Sequence, residues 1–413
     1  MELAPLEAGF APDRLARIET HLMRHYIEPQ KIAGCQIGIM RRGRLAYRRS
    51  FGQMDRERAA PMAEDSIFRI FSMTKPITSV ALMMLYETGA FQLNDPVSRF
   101  FPDWKEQRVY LSGDYETMQT AAPKRAPTIR DMLCHTGGLT YGDVLSQFGL
   151  PKSDHPVERA YRELRVRRDR GETLSDFMAK LARTPLLYEP GERWLYSLST
   201  DVCGALVEKI SGQRFDVFLR ERLFAPLKME DTAFMVTPEK VSRFTANYAR
   251  GPDKRLRLVD DPQTSAYLQE PVFFGGGGGL VSTLSDYLRF TEMMRRGGEL
   301  DGARILGPRT VALMTTNHLK GGGALLTDIA IDGFSETAAE GVGFGLGFAT
   351  ATHPAATGLF GEGDFYWAGA ASTLFWIDPK EEISVVFMTQ LVPSDTFDFR
   401  GQLKNIIYSS IVE

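Results

Sequence analysis

The sequence predicts an α+β fold in which one antiparallel sheet is assembled from both ends of the chain. Alternating apolar residues on either side of Arg42-Gly43 predict a hairpin of two strands over 34–53. The region from 341 onward reads as further strands, of which the one around 383–388 is strongly apolar. Between these regions the chain is rich in proline and charge and contains helical patches, so a mostly helical second lobe is expected.

Helical patterns are expected at the two ends of the chain and within its middle. Apolar residues recur at helical spacing after Pro12, a residue that is tolerated in the first turn of a helix. The C-terminal strands should be interrupted at Asp378-Pro379, where a turn is expected. The predicted helical segments are 12–28, 68–89, 174–183, 200–210 and 397–412.

The chain is long enough to form two lobes. Its 413 residues, of which 43% are hydrophobic, can bury a large core as one domain or as two lobes. We expect an α/β lobe made of 1–95 and 271–413, a mostly helical lobe made of 96–270, and an active site between them.

Charge and composition argue against several classes of protein. The formal net charge of -3 gives no electrostatic footprint for nucleic acid, and the locally basic segment 161–172 is interleaved with acidic residues, as on a solvated helix face. No stretch approaches the roughly 20 apolar residues that span a bilayer. The N-terminus lacks the pattern of a secretory signal. We therefore expect a cytoplasmic protein with neither nucleic-acid nor membrane partners.

The three cysteines, Cys35, Cys134 and Cys203, are odd in number and isolated from one another. This pattern favours reduced, buried thiols over a disulfide framework or a metal site. The glycine run 275–279 is not a phosphate loop, because no Lys-Ser or Lys-Thr pair follows it. No metal or organic cofactor is therefore implied.

The polar pair Ser72 and Lys75 stands out at the start of the apolar segment 68–89. Residues three apart on a helix lie on the same face, so the two side chains should meet. A serine becomes a nucleophile when a neighbouring base takes its proton, and a lysine serves as that base when its surroundings lower its pKa. Serine is also a favoured helix cap. Taken alone, the pair leaves both interpretations open.

The rest of the chain argues against a histidine as the base. No G-x-S-x-G motif of the common serine hydrolases occurs. Of the six histidines, only His135, in "LCHTGGLTYG", has a structured-looking context, and we interpret it as a hydrogen-bonded turn residue after a helix. If Ser72 is a nucleophile, its base is therefore Lys75 together with a tyrosine.

Four motifs in order resemble one superfamily. They are S-M-T-K at 72–75, H-T-G-G-L at 135–139, Y-S-L at 196–198 and W-A-G at 367–369. Together they resemble the serine β-lactamases and penicillin-binding proteins, and within that superfamily most closely the family VIII carboxylesterases, which are relatives of class C β-lactamases. The resemblance covers nearly the whole chain. It implies a β-lactamase/DD-peptidase-like antiparallel sheet flanked by helices.

The resemblance also implies the roles of the catalytic residues. Ser72 would be the acyl nucleophile and Lys75 its base, while Tyr196 would share the proton with Lys75 and pass it to the leaving alcohol. The backbone amides of Ser72 and Ala370 would form the oxyanion hole. Without the resemblance, the sequence around Tyr196 would equally suit an aromatic strand end followed by a helix capped at Ser199 or Thr200.

Several substrate-binding residues are implied in the same way. Trp367 stands where many members of the superfamily have a lysine that holds the substrate carboxylate, and Leu198 replaces an asparagine that binds the acyl-side carbonyl. Gly369 would let the acyl group approach the strand, and Tyr141 would line the pocket. The glycine run 275–279, which resembles a loop leading into a helix capped near Ser282 or Thr283, could also line the pocket.

We expect a serine carboxylesterase acting on short- to medium-chain acyl esters, because Trp367 and Leu198 leave an apolar wall in place of polar recognition. The small-molecule ester is the expected partner, and the sequence does not indicate an oligomeric state. The alternatives are a β-lactamase or D-alanyl peptidase, an acyltransferase and, from another class, a non-catalytic scaffold.

Overall fold

The computed structural model describes residues 2–142, 153–166, 171–319 and 340–413. Residues 167–170 of the basic segment therefore lie outside the described part of the chain. The α-helices in it are α1 (Pro12–Leu22), α2 (Thr74–Glu87), α3 (Ile129–Leu133), α4 (Pro156–Glu163), α5 (Leu174–Leu181), α6 (Ser199–Ser211), α7 (Phe215–Leu219), α8 (Leu284–Arg295), α9 (Pro308–Thr315), α10 (Pro354–Thr357) and α11 (Phe399–Tyr408).

The strands of the described residues form one large sheet and several small ones. In chain order they are β1 (Gly34–Arg41), β2 (Arg44–Asp55), β3 (Ala60–Pro61), β4 (Ile67–Arg69), β5 (Val109–Ser112), β6 (Gln119–Ala121), β7 (Asn247–Arg250), β8 (Leu256–Asp260), β9 (Val281–Thr283), β10 (Glu299–Leu300), β11 (Ala303–Arg304), β12 (Val342–Phe344), β13 (Ala349–Ala351), β14 (Phe365–Ala368), β15 (Leu374–Asp378), β16 (Ile383–Thr389) and β17 (Leu391–Val392).

The large sheet joins the two ends of the chain, as predicted. Its strand order is β12-β13-β14-β15-β16-β1-β2-β3, and each neighbouring pair is antiparallel. The junction lies between β1 and β16, where Cys35 is opposite Thr389 and Arg41 is opposite Ile383. The predicted α+β fold class is therefore confirmed.

The two predicted turns of this sheet are confirmed. Arg42 and Gly43 connect β1 to β2 with φ angles of 52° and 74°. Left-handed conformations at both central residues match the right-handed twist of a two-residue hairpin. The break at Asp378-Pro379 separates β15 from β16.

Helices cover both faces of the sheet. A Cβ atom on Gly38 of β1 would lie 2.6 Å from Leu288 Cδ1, so the missing side chain lets α8 approach one face closely. On the other face, the rings of Phe387 in β16 and Phe399 in α11 lie 4.9 Å apart. Because side chains alternate along a strand, Gly38 and Ile37, which is paired with Phe387, point to opposite faces. The β1–β16 junction is thus buried on both sides.

The middle of the chain is only partly as predicted. Helices α5 and α6 confirm the predicted segments 174–183 and 200–210. The short strands β5 to β8 were not predicted, because segments of three to five residues are too short to show a clear apolar alternation. Strand β7 pairs in parallel with β17, so the middle and C-terminal parts of the chain share a small sheet. The division into two lobes stays a prediction.

Three further expectations concern the whole chain. Cys35, Cys134 and Cys203 are buried and unpaired in the described structure. Among the described helices, none combines the length and apolar character needed to cross a membrane. The described His, Cys, Asp and Glu side chains form no group suited to hold a metal ion.

Candidate active site

Ser72 lies in a strained connection between β4 and α2. A single 3-10 turn, Phe71–Met73, separates the strand from the helix. Phe71 has a φ angle of 41°, which is uncommon for a residue with a side chain and typical of functional sites. Ser72 is 8% exposed. Neither the 3-10 turn nor α2 has a side-chain cap, so the interpretation of Ser72 as a helix cap is wrong.

Lys75 reaches the serine from the first turn of α2. Its side chain is only 1% exposed. Its Nζ donates to Ser72 Oγ over 3.0 Å and to the backbone oxygen of Gly277 over 2.6 Å. The same amine lies 4.6 Å from the ring centroid of Tyr196 and 5.6 Å from that of Tyr141. The predicted meeting of serine and lysine is therefore observed.

Tyr196 is the third predicted catalytic residue, and it lies beside Lys75. It is buried in a ring of aromatic side chains, with centroid distances of 5.3 Å to Trp367 and 5.1 Å to both His135 and Tyr141. Burial, reinforced by Tyr141, raises the pKa of Tyr196 well above its usual value, while hydrogen bonding with Ser72 and Trp367 opposes this shift. The hydroxyl is therefore neutral near pH 7 and carries the proton that a leaving group would need.

His135 is a structural residue, as predicted. It follows α3 with a φ angle of 56°, and its ring nitrogens lie 3.3 Å from Ser197 Oγ and from Thr200 Oγ1. Burial, with the charge of Lys75 as a second cause, lowers the pKa of His135 well below its usual value. A neutral imidazole with both nitrogens occupied holds the start of α6 rather than serving as a base.

The predicted oxyanion hole depends on a close approach at the end of β14. A Cβ atom on Gly369 would overlap the carbonyl oxygen of Ile70 and Thr373 Oγ1. The Gly369 amide donates to the Thr373 oxygen over 2.7 Å, which fixes the turn that carries Ala370. Gly369 therefore accommodates the backbone that precedes Ser72. The predicted accommodation of an acyl group by this glycine stays a prediction.

The predicted pocket residues surround Tyr196 to different degrees. Trp367 and Tyr141 contact its ring and are almost fully buried. Leu198 is fully buried, and its amide donates to the Thr140 oxygen over 3.2 Å. It thus ties the start of α6 to the loop of Tyr141.

The glycine run has a function in the site that its sequence did not reveal. The Gly277 oxygen accepts from Lys75, and the Gly277 amide donates to Asp201 Oδ1 over 2.9 Å. The expected helix after the run is confirmed, with the Thr283 side chain capping α8. Asp201 was missed, although a carboxylate directly before the apolar run 202–207 of α6 was a possible signal.

Two aromatic residues were also missed. Trp194 stacks on Tyr196 with an interplanar angle of 12°, and Phe344 packs edge-on against Trp367 at 5.4 Å. Trp194 comes from the loop before α6 and Phe344 from β12, and only the tertiary fold brings them together.

Comparisons with known proteins show the family to which the chain belongs. A family model described as β-lactamase matches residues 16–405. Protein Rv1367c of Mycobacterium tuberculosis is 32% identical over 380 residues, covering 91% of this chain and 90% of that protein. Esterase EstB of Burkholderia gladioli is 29% identical over 407 residues, covering 93% of this chain and 91% of that protein.

A solved structure of similar fold also matches the chain. EstCE1, described as a hydrolase with promiscuous acyltransferase activity, matches with a TM-score of 0.76 and 25% identity, covering 97% of this chain and 98% of that chain. The predicted fold and the superfamily resemblance are confirmed.

We predict that Gly369→Ala slows the reaction of Ser72 with a fluorophosphonate probe by about 100-fold, because the added methyl group would displace the end of β14 from the Ile70 backbone. The labelling rate is measured by mass spectrometry. Gly307→Ala is the control, since its Cβ atom would meet only the end of the Glu87 side chain, at 3.2 Å, and no backbone atom. An unchanged labelling rate in Gly369→Ala would contradict the packing described here.

We also predict a pH-dependent contribution of His135 to stability. Its lowered pKa means that the folded state disfavours the imidazolium, so this stability is fully present above about pH 6.5 and is lost as the pH falls below it. Between about pH 6.5 and 5.5, protonation of His135 should lower the free energy of unfolding of the wild type by up to about 1.4 kcal/mol. His135→Asn should abolish this decrease, because asparagine does not titrate and tolerates the left-handed conformation. Urea unfolding measures it, with the exposed His353→Asn as control. If the free energy of unfolding falls with pH equally in wild type and His135→Asn, His135 is not the group responsible for the loss.

Proposed function

Because the chain belongs to the β-lactamase family, we propose that it is a serine carboxylesterase of the family VIII type. It would hydrolyse short- to medium-chain acyl esters through an acyl-enzyme on Ser72. The observation that carries the proposal is the 3.0 Å contact between Lys75 Nζ and Ser72 Oγ in a buried site, which is the arrangement of a nucleophile and its base. The esterase EstB among its relatives supports the same reaction class.

The proposed reaction has two halves. Ser72 Oγ attacks the ester carbonyl carbon while its proton passes to Lys75, and the amides of Ser72 and Ala370 stabilise the oxyanion. Tyr196, which receives the proton back from Lys75 as its own leaves, protonates the alcohol as the C–O bond breaks. Water then attacks the acyl-enzyme, gives its proton to the same pair of residues and releases the carboxylic acid and the serine.

The aromatic wall favours an uncharged substrate. Trp367 presents an indole ring packed on Tyr196 and Phe344 where many relatives have a lysine. Losing a charge-assisted hydrogen bond costs about 1.5 to 3 kcal/mol, or roughly 10- to 100-fold in recognition. This weakens recognition of the carboxylate of a β-lactam or a peptide more than that of a neutral ester. A β-lactamase or D-alanyl peptidase is therefore the less favoured alternative.

Acyl transfer is the second candidate. The similarity to EstCE1, whose description names promiscuous acyltransferase activity, favours it. An alcohol could replace water in the second half-reaction and use the same proton relay. A non-catalytic scaffold is disfavoured, because Ser72, Lys75 and Tyr196 remain assembled in one buried cluster.

The test is the initial rate of p-nitrophenyl butyrate hydrolysis near pH 8 for wild type, Ser72→Ala and Ser79→Ala. Ser79 is a matched control, because it is a fully buried serine on α2, the helix that follows Ser72. We expect Ser72→Ala to fall to the uncatalysed background and Ser79→Ala to stay near the wild-type rate. Equal rates for wild type and Ser72→Ala would refute the proposed nucleophile.

Two additions to the assay separate the alternatives. With butanol present, a hydrolase yields mainly butyrate, whereas mainly butyl butyrate in the gas chromatogram would favour the acyltransferase. Nitrocefin, a β-lactam with a free carboxylate, should give a lower kcat/KM than the ester. A higher kcat/KM for nitrocefin would favour the β-lactamase alternative.

A further inference from the structure

A chain of hydrogen bonds connects a buried carboxylate to the serine through the backbone of one residue, Gly277. Asp201 Oδ1 accepts from the Gly277 amide over 2.9 Å, and the Gly277 oxygen accepts from Lys75 Nζ over 2.6 Å. Lys75 Nζ then donates to Ser72 Oγ over 3.0 Å. Asp201 is thus linked to Ser72 Oγ through the backbone of Gly277 and the amine of Lys75.

The fold holds this chain tightly. Asp201 is the third residue of α6 and is 0% exposed, in a first turn where the helix dipole favours a carboxylate. A Cβ atom on Gly276 would lie 2.6 Å from the Thr200 oxygen and 3.0 Å from Thr78 Cγ2. The glycine run therefore fits between α6 and α2 only without side chains, and this fit brings the Gly277 amide to Asp201.

The chain affects both the position and the charge of the amine. The Gly277 amide and the Gly277 carbonyl belong to two successive peptide groups, so the bond to Asp201 acts by fixing the position of the Gly277 backbone. With Gly277 fixed, its carbonyl holds Nζ in reach of Ser72. The carboxylate, on the other side of the Gly277 backbone, also favours the positive charge that forms when the lysine takes the serine proton.

We propose that Asp201 is a positioning residue for Lys75 and acts by holding the Gly277 backbone in place. The inference rests on the proposed function, since it assumes that Lys75 is the base for Ser72. Among the described residues, the other titratable side chains close to the amine are Tyr141 and His135 from the loop after α3, and Tyr196 before α6. Burial keeps His135 and Tyr196 uncharged near pH 7, because it lowers the pKa of the imidazole and raises the pKa of the phenol. Asp201 is the carboxylate in this set.

The test compares Asp201→Ala with Asp201→Asn. Alanine removes the acceptor, so kcat for p-nitrophenyl butyrate should fall by about 10- to 100-fold with KM nearly unchanged. Asparagine keeps an oxygen for the Gly277 amide and should retain more of kcat. It removes the charge that favours the ammonium, so the lysine loses its proton at lower pH. The acid limb of kcat/KM should therefore move to lower pH by about half a unit or more.

Asp286→Asn is the matched control. Asp286 is also the buried third residue of its helix, α8, and its carboxylate accepts from the Asp231 amide and the Thr232 hydroxyl, each over 2.8 Å. Its substitution should lower the Tm without moving the acid limb. If Asp201→Asn lowers the Tm and leaves the acid limb in place, Asp201 is merely structural and the proposal is overturned. Wild-type kcat in a folded Asp201→Ala protein would overturn it too.

A second readout separates this proposal from the proposed function. The rate at which a fluorophosphonate labels Ser72, measured against pH, requires an activated serine but no ester turnover. Labelling that slows in Asp201→Ala and shifts in Asp201→Asn would support the positioning role even if no ester were hydrolysed. Labelling with a wild-type rate and pH profile in both variants would overturn the role even if wild type were a good esterase. If Asp201→Ala fails to fold, the dependence of the labelling rate on pH in Asp201→Asn is sufficient to test the positioning role.

Discussion

The burial of a single amine organises this molecule. Lys75 is almost fully removed from water, and the cation that would form there when the amine takes the serine proton is unfavourable unless the surrounding groups compensate it. The compensation comes from the Ser72 hydroxyl, the Gly277 carbonyl and the ring face of Tyr196. These groups belong to three distant segments of the chain, so satisfying one charge requires the whole tertiary fold to be in place.

The large sheet supplies the other half of the site. It closes through the β1–β16 pairing of the two chain ends, and β14 then runs alongside the segment that leads to Ser72. Gly369 lets the two backbones meet, and Phe71 adopts a left-handed conformation that turns the chain from strand to helix at the serine. Such a conformation costs of order 1 to 3 kcal/mol, which the packing of the surrounding core offsets. A strained residue thus lies directly before the proposed nucleophile.

Local patterns in the sequence predicted most of the large sheet and one half of the site. The hairpin at Arg42-Gly43 and the break at Asp378-Pro379 depend on residues that are adjacent in sequence, and both are observed. The Ser72–Lys75 pair is likewise set by helical spacing. Tyr196 was identified through the family resemblance, because its distance from Lys75 in sequence is more than a hundred residues.

What the sequence did not show depends on long-range contacts. The partnership of Asp201 with Gly277 exists only when α6 packs beside the glycine run, and nothing in either segment specifies the other. Gly369 was interpreted through the substrate, whereas its immediate neighbour is the Ile70 backbone. Strand β7, which pairs with β8 on one side, gains its other partner from β17, near the C-terminal end of the sequence.

The most direct test of the central claim, that Lys75 makes Ser72 an acyl nucleophile, is to trap the covalent intermediate. The protein would be mixed with p-nitrophenyl butyrate, quenched in acid within the first turnovers, digested and analysed by mass spectrometry. The account predicts a butyryl group on Ser72 in the wild type and a much slower appearance of it in Lys75→Met. A butyryl group on another residue, or an equal rate of acylation in Lys75→Met, would contradict the account.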